Sequence, residues 1–145
     1  MSNLFRYETI EDAKNAIKSV VLSQDWKETL CKNKEGKNIV YYFEGNDMKK
    51  MAEMLPLGIF ESQSICDNLM QNFILDNIDA IAKFIVGKGP LRSMTTEYDD
   101  VVGHVVQYVN GKEISKVPCY SLNMILCRND KTIAGFYISD FTPVM

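Results

Sequence analysis

Between Ser64 and Val86 the apolar side chains Ile65, Leu69, Phe73, Ile74, Ile78, Ile81 and Ile85 recur three and four residues apart. Asn72, Asp76, Asp79 and Lys83 keep the same interval on the opposite face. That period predicts one long amphipathic helix, with a stripe that widens through Phe84, Ile85 and Val86. Ser64 with Asp67 predicts its N-cap, and Gly87 its stop. Such a helix needs a large apolar partner, which the C-terminal third of the chain supplies. Ile74, Ile78, Ile81 and Ile85 are expected to face it. Ile78→Asp should then unfold the protein by burying an unpaired charge.

Thr9 with Asp12 resembles a capping box and opens a first helix from Ile10 to Leu22, with Ile10, Ala13, Ile17, Val20 and Val21 at helical spacing. Ser23 is expected to cap a short helix carrying Trp26 and Leu30, and the run from Lys32 to Gly36 is a turn. Asn38 to Glu44 is β-branched and aromatic, and predicts a strand buried on both faces or nearly so. Gly45, Asn46 and Asp47 cap a further short helix with Met48, Met51, Ala52 and Leu55 inward, ended by Pro56. Leu57 to Phe60 is expected to be a packed connection.

Past the break at Gly87 to Pro90 the period changes. Ser93 to Tyr98 predicts an edge strand and Val101 to Val109 a stronger one. Asn110-Gly111 predicts a tight hairpin, because a type I′ turn needs two residues tolerant of positive φ. Lys112 to Val117 returns and stops at Pro118. Tyr120 to Cys127 alternates, Arg128 to Lys131 turns the chain, and Thr132 to Phe141 comes back. The expected fold is α+β. N-terminal helices and one long central helix pack on a C-terminal antiparallel β-meander of four or five strands. All of residues 1–145 are read as one domain, helix-rich over 1–87 and a meander over 91–145.

Charge adds the next constraint. A net charge of −3 and a pI near 5.2 weigh against binding nucleic acid through its phosphates. From Leu57 to Ala82 the chain has Glu61, Asp67, Asp76 and Asp79 and no Lys or Arg. From Ser93 to Gly111 it has Glu97, Asp99 and Asp100, again without a cation. These seven carboxylates are candidates for an acidic patch facing a basic protein partner, set against the plain reading of solvated surfaces. Met1 to Tyr7 does not read as a secretory leader, and no apolar run is long enough to span a membrane. Cys31, Cys66, Cys119 and Cys127 have no CxxC spacing and read as small buried hydrophobes of a cytoplasmic protein.

Candidate chemistry is sparse. His104 is the single histidine. Set among valines in a strand, it reads first as a structural residue. Counting back from the hairpin puts it opposite Val117, with Gly103 beside it marking a bulge or the close approach of a ligand. A metal-independent ribonuclease would use His104 as base, Arg92, Lys112 or Arg128 as phosphate cation, and Thr95 and Thr96 as donors. Helices followed by a short sheet with a strand-borne histidine are similar in element order to small bacterial ribonuclease toxins. Nucleophile-elbow, phosphate-loop, dinucleotide-loop and calcium-loop spacings are absent from the sequence, so no cofactor or metal is expected. Met48, Met51 and Met54 are either core or a methionine-rich recognition surface.

The leading expectation is a small acidic binding protein, most simply an inhibitor of the immunity or antitoxin kind that neutralises a basic nuclease. The alternatives are a ligand-binding cone, similar in element order to the nuclear-transport-factor-2-like group, and the His104 ribonuclease.

Overall fold

A computed structural model describes residues 6–145. The reading of the N-terminus as leaderless rests in part on residues 1–5, outside the described residues. The fold is α+β, with helices and two antiparallel three-stranded sheets. Contacts divide the chain into a first unit, Met1–Ile39, Met70–Ser93 and Ile125–Asp140, and a second unit, Val40–Leu69, Met94–Met124 and Phe141–Met145.

In the first unit, α1 (Ile10–Val21) begins as expected. Thr9 is extended, and its Oγ1 accepts the Asp12 N–H at 3.1 Å. The helix buries Ala13, Ile17, Val20 and Val21, and packs on α5 (Ile78–Val86). Trp26 and Leu30 of α2 (Trp26–Leu30) are buried too, but Ser23 does not cap that helix. Its hydroxyl donates to Val20 O at 2.7 Å and closes α1 instead.

The expected single helix over Ser64 to Val86 is two helices, α4 (Gln63–Asp76) and α5. Ser62 rather than Ser64 caps α4, its Oγ accepting the Ile65 N–H at 3.1 Å. At Asn77 ψ rises to 21°, and the side-chain amide donates to Phe73 O at 2.9 Å, the carbonyl that also receives the Asn77 N–H. A side chain bonded back onto its own helix competes with the ladder and bends it. The break spans one residue, so the period survives it. Ile74, Ile78, Ile81 and Ile85 are all buried, whereas Ile65 is 41% exposed and Cys66 and Met70 take the inward positions.

Gly87 ends α5 with φ −75°, without a left-handed cap. The orphan carbonyls are served from β5 (Ser121–Arg128). Arg128 donates to Phe84 O, to Ile85 O at 2.8 Å and to Gly89 O at 2.8 Å, with its guanidinium 4.9 Å from the Phe84 ring centroid. A cation at a helix C-terminus also meets the negative end of the dipole. Arg128→Met should therefore lower unfolding free energy by about 2–4 kcal/mol, measured by denaturant titration. Arg128→Lys should recover only part, since one ammonium cannot span three carbonyls.

In the second unit, β3 (Gly103–Val109) and β4 (Lys112–Cys119) form the expected hairpin, with φ 53° at Asn110 and 77° at Gly111. The segment expected to be a mere connection is a strand. This strand, β1 (Leu57–Ile59), pairs antiparallel with β3 and gives the order β1-β3-β4. The other sheet has the order β2-β5-β6, from β2 (Leu91–Glu97), β5 and β6 (Phe136–Val144), strands that have residues in both units. β2 is the edge strand expected of Ser93 to Tyr98.

The strands are thus sorted into two sheets and do not run as one meander. The reason is local: only Tyr120 separates β4 from β5, and a hairpin reversal takes at least two residues. The chain passes from one sheet into the other there. Tyr98 N–H to Tyr120 O at 2.6 Å and Val102 N–H to Cys119 O at 2.8 Å hold the β2–β3 connection beside that junction.

Two expectations fail in neighbouring segments. Asn38 to Glu44 forms no strand. Asn38 makes one isolated bridge to Lys32, Ile39 N–H donates to Cys31 O at 2.9 Å, and Val40 is 62% exposed. Strand propensity there is overridden by the lack of a pairing partner. In α3 (Gly45–Met54), which packs on β3, only Ala52 is buried. Met48 is half-buried, and Met51 and Leu55 face outward. A short helix seated on one small residue buries a narrow strip, and the bulkier side chains are left outside.

Candidate functional site

His104 is half-buried in the middle strand of the β1-β3-β4 sheet, aligned with Ile59 and Pro118. Its expected partner, Val117, is displaced by one position because the register shifts between Gln107 and Tyr108. Pro118 continues β4 without ending it. As the outer strand of its sheet, β4 tolerates a residue with no N–H to donate. Gly103 does not mark a bulge, since it keeps regular register with Cys119. A Cβ there would stand 2.3 Å from Pro143 Cγ and 2.6 Å from Ile59 O, so the glycine is a packing requirement.

The ribonuclease candidates lie on different elements. Lys112 sits at the hairpin tip opposite Val109, five strand residues from His104 and so about 17 Å away. Thr95 lies on β2, its Oγ1 accepting from Asn123 Nδ2 at 3.0 Å, and Thr96 follows it on the same strand. Arg92 belongs to the first unit, where it lines a cleft with Lys83 and Gly89. Arg128 is held by the α5 carbonyls.

The acidic candidates divide differently. The second unit has nine Asp and Glu against four Lys, and the first has ten against twelve Lys and Arg. The protein's negative balance therefore resides in the second unit. Five of the seven predicted carboxylates belong to it: Glu61, Asp67, Glu97, Asp99 and Asp100. A cleft of about 240 Å³ is lined by Glu61 and Ile65 on one side and by Val101, Val102, Gly103 and His104 on the other. The two cation-free stretches of the sequence thus meet at one place, and Glu97, Asp99 and Asp100, which precede Val101 in the chain, are exposed. Asp67 accepts from Gln63 Nε2 at 2.8 Å.

Asp76 and Asp79 fall in the first unit, and Asp79 is already paired, its Oδ1 lying 2.9 Å from Lys14 Nζ. The hydrogen bond from Lys14, then its charge, holds the Asp79 carboxyl below the ordinary value. A depressed carboxylate contributes stability above its unfolded pKa and loses it as pH falls through the lower folded value. Carboxyl NMR should find Asp79 titrating below the ordinary aspartate value, and Lys14→Met should return it to the usual range.

Glu44 and Asp47 also contribute to the second unit's surplus. Lys49 and Lys50 follow them closely, so they lie in no cation-free stretch. Tyr42 donates to Glu44 Oε2 at 3.0 Å, and that bond to a carboxylate raises the Tyr42 phenol above its ordinary value. Among the described residues no three His, Cys, Asp or Glu side chains converge as a metal site requires. No described helix is long and apolar enough to cross a membrane. Cys31, Cys66 and Cys119 are buried, and Cys127 is half-buried.

No family model and no curated protein matches the chain. The fold has a solved counterpart. With a TM-score of 0.57, 72% of this chain matches 95% of a chain in the crystal structure of the CdiA-CT/CdiI complex from Y. kristensenii 33638. Identity over the match is 12%, so the likeness is one of backbone arrangement.

Proposed function

We propose that this chain is an inhibitor of the immunity type, which neutralises a basic toxin domain by docking its acidic second unit onto it. The observation that carries this reading is the backbone arrangement shared with a chain of a toxin–immunity complex. Charge supports it independently. A nuclease domain needs a cationic surface to hold a phosphate backbone. Nine carboxylates against four lysines in one unit would compete for that surface and steer the encounter. His104 in this reading is a packed strand residue bordering the acidic cleft and does not act as a base.

Co-expression tests it. A basic domain encoded beside this chain should arrest growth when made alone, and growth should return when the chain is made with it. His104→Ala should protect as well as wild type. Failure of the wild-type chain to restore growth at matched expression would remove the reading.

A further inference from the structure

The outward side of α3 carries exposed apolar side chains on the acidic second unit. Asp47, Met51 and Met54 follow at i, i+4 and i+7 and so share one side of the helix. Met51, Met54 and Leu55 are 37%, 82% and 73% exposed, and the preceding segment adds exposed Val40. Val40, Phe43, Asp47, Lys50 and Met51 line a groove of about 420 Å³. The helix itself is firmly seated. Ala52 is buried, and Glu53 Oε1 accepts the Gly111 N–H of the β3–β4 turn at 2.6 Å. A fixed helix thus offers an apolar stripe with carboxylates at its first turn.

We infer that this groove seats an apolar anchor of the basic partner, with a neighbouring lysine or arginine of that partner reaching Asp47 and Glu44. The inference rests on the inhibitor reading and names the surface it uses. Flexible thioethers mould to an incoming side chain, which suits Met51 and Met54 to a recognition role. Charge selects the occupant. The unit around the groove is strongly acidic, so a basic protein gains by approaching it. A second copy of this chain would bring the same acidic surplus to the contact and be repelled. Lys50 on the flank disfavours a cation there, so the cation belongs at the Asp47 end.

The full chain is to be titrated with a synthetic amphipathic Leu/Lys peptide and with its Leu/Glu counterpart, following backbone amides by NMR. Shifts should gather over residues 40–55 with the first peptide and be absent with the second. Met51→Glu and Asp47→Lys should each weaken the Leu/Lys peptide about tenfold or more while leaving the melting temperature in place. Shifts centred elsewhere, or equal binding of both peptides, would overturn the inference. So would a wild-type dimer in sedimentation that Met51→Glu dissolves, because the occupant would then be a second copy. In co-expression the two variants should lose protection that wild type gives. If wild type and both variants protect equally, the inhibitor reading stands and this surface is wrong. If wild type does not protect, the inhibitor reading fails, and the groove is judged on the peptides alone.

Discussion

Ile81→Asp should leave no cooperatively folded protein at room temperature. Ile81 has no exposed surface, and it lies in the middle of α5, the helix on which α1 packs. Placing a carboxylate there removes a buried aliphatic side chain, a loss of about 2–5 kcal/mol. It also strands an unpaired charge whose effective desolvation cost is several kcal/mol more. Together these rival the roughly 5–15 kcal/mol that holds a domain folded. Thermal melting by circular dichroism decides it. A soluble variant with the wild-type transition would show that α5 is not part of the core.

The break at Asn77 makes Ile78→Asp the milder change. Ile78 is the first residue of α5 and is 9% exposed, so an aspartate there meets the free N–H groups of a helix N-terminus. That variant should fold with a lowered melting temperature.

Gly103→Ala is the second large effect. Its new methyl would stand 2.3 Å from Pro143 Cγ and 2.6 Å from Ile59 O. A flexible side chain could yield, but Ile59 O belongs to the strand paired with β3, and Pro143 is a rigid ring on β6. Relief requires moving backbone, so a loss of about 3 kcal/mol is expected in denaturant titration, at the upper end of overpacking costs. Gly58→Ala, 2.3 Å from Pro143 O, should behave alike. An unchanged midpoint for both would mean that these strands pack less closely than described.

The sequence was most informative where local chemistry decides structure. Thr9 is the cap that its spacing from Asp12 predicted, and Asn110-Gly111 makes the expected turn, because each depends on residues only a few positions apart. Burial of Ile74, Ile78, Ile81 and Ile85 was equally legible, since the helical period records which side is covered. The helix break was not. Asn77 is an ordinary polar residue on a helical pattern until its amide folds back onto Phe73 O. Nor could the sequence show that Arg128 serves helix carbonyls more than forty positions away. Sheet membership depends on pairing, which periodicity does not encode; Leu57 to Phe60, apolar but for Gly58, reads as a connection until β1 pairs with β3.

For the candidate site, the seven acidic residues were legible as two stretches of sequence. Their division into five and two required the fold. α3 shows the opposite error. Its apolar residues at helical spacing read as a core face, whereas two of them, Met51 and Leu55, are outside. Hydrophobic period reports that a side is apolar, and cannot distinguish a covered one from one awaiting a partner.

Hydrogen exchange with mass spectrometry, on the chain alone and in complex with a basic domain against which it protects cells, tests the central claim directly. Slowed exchange should appear over residues 40–69 and 94–124, the acidic unit, and should weaken as salt is raised. Protection confined to residues 6–39, 70–93 and 125–140 would place the partner on the other unit and contradict the account.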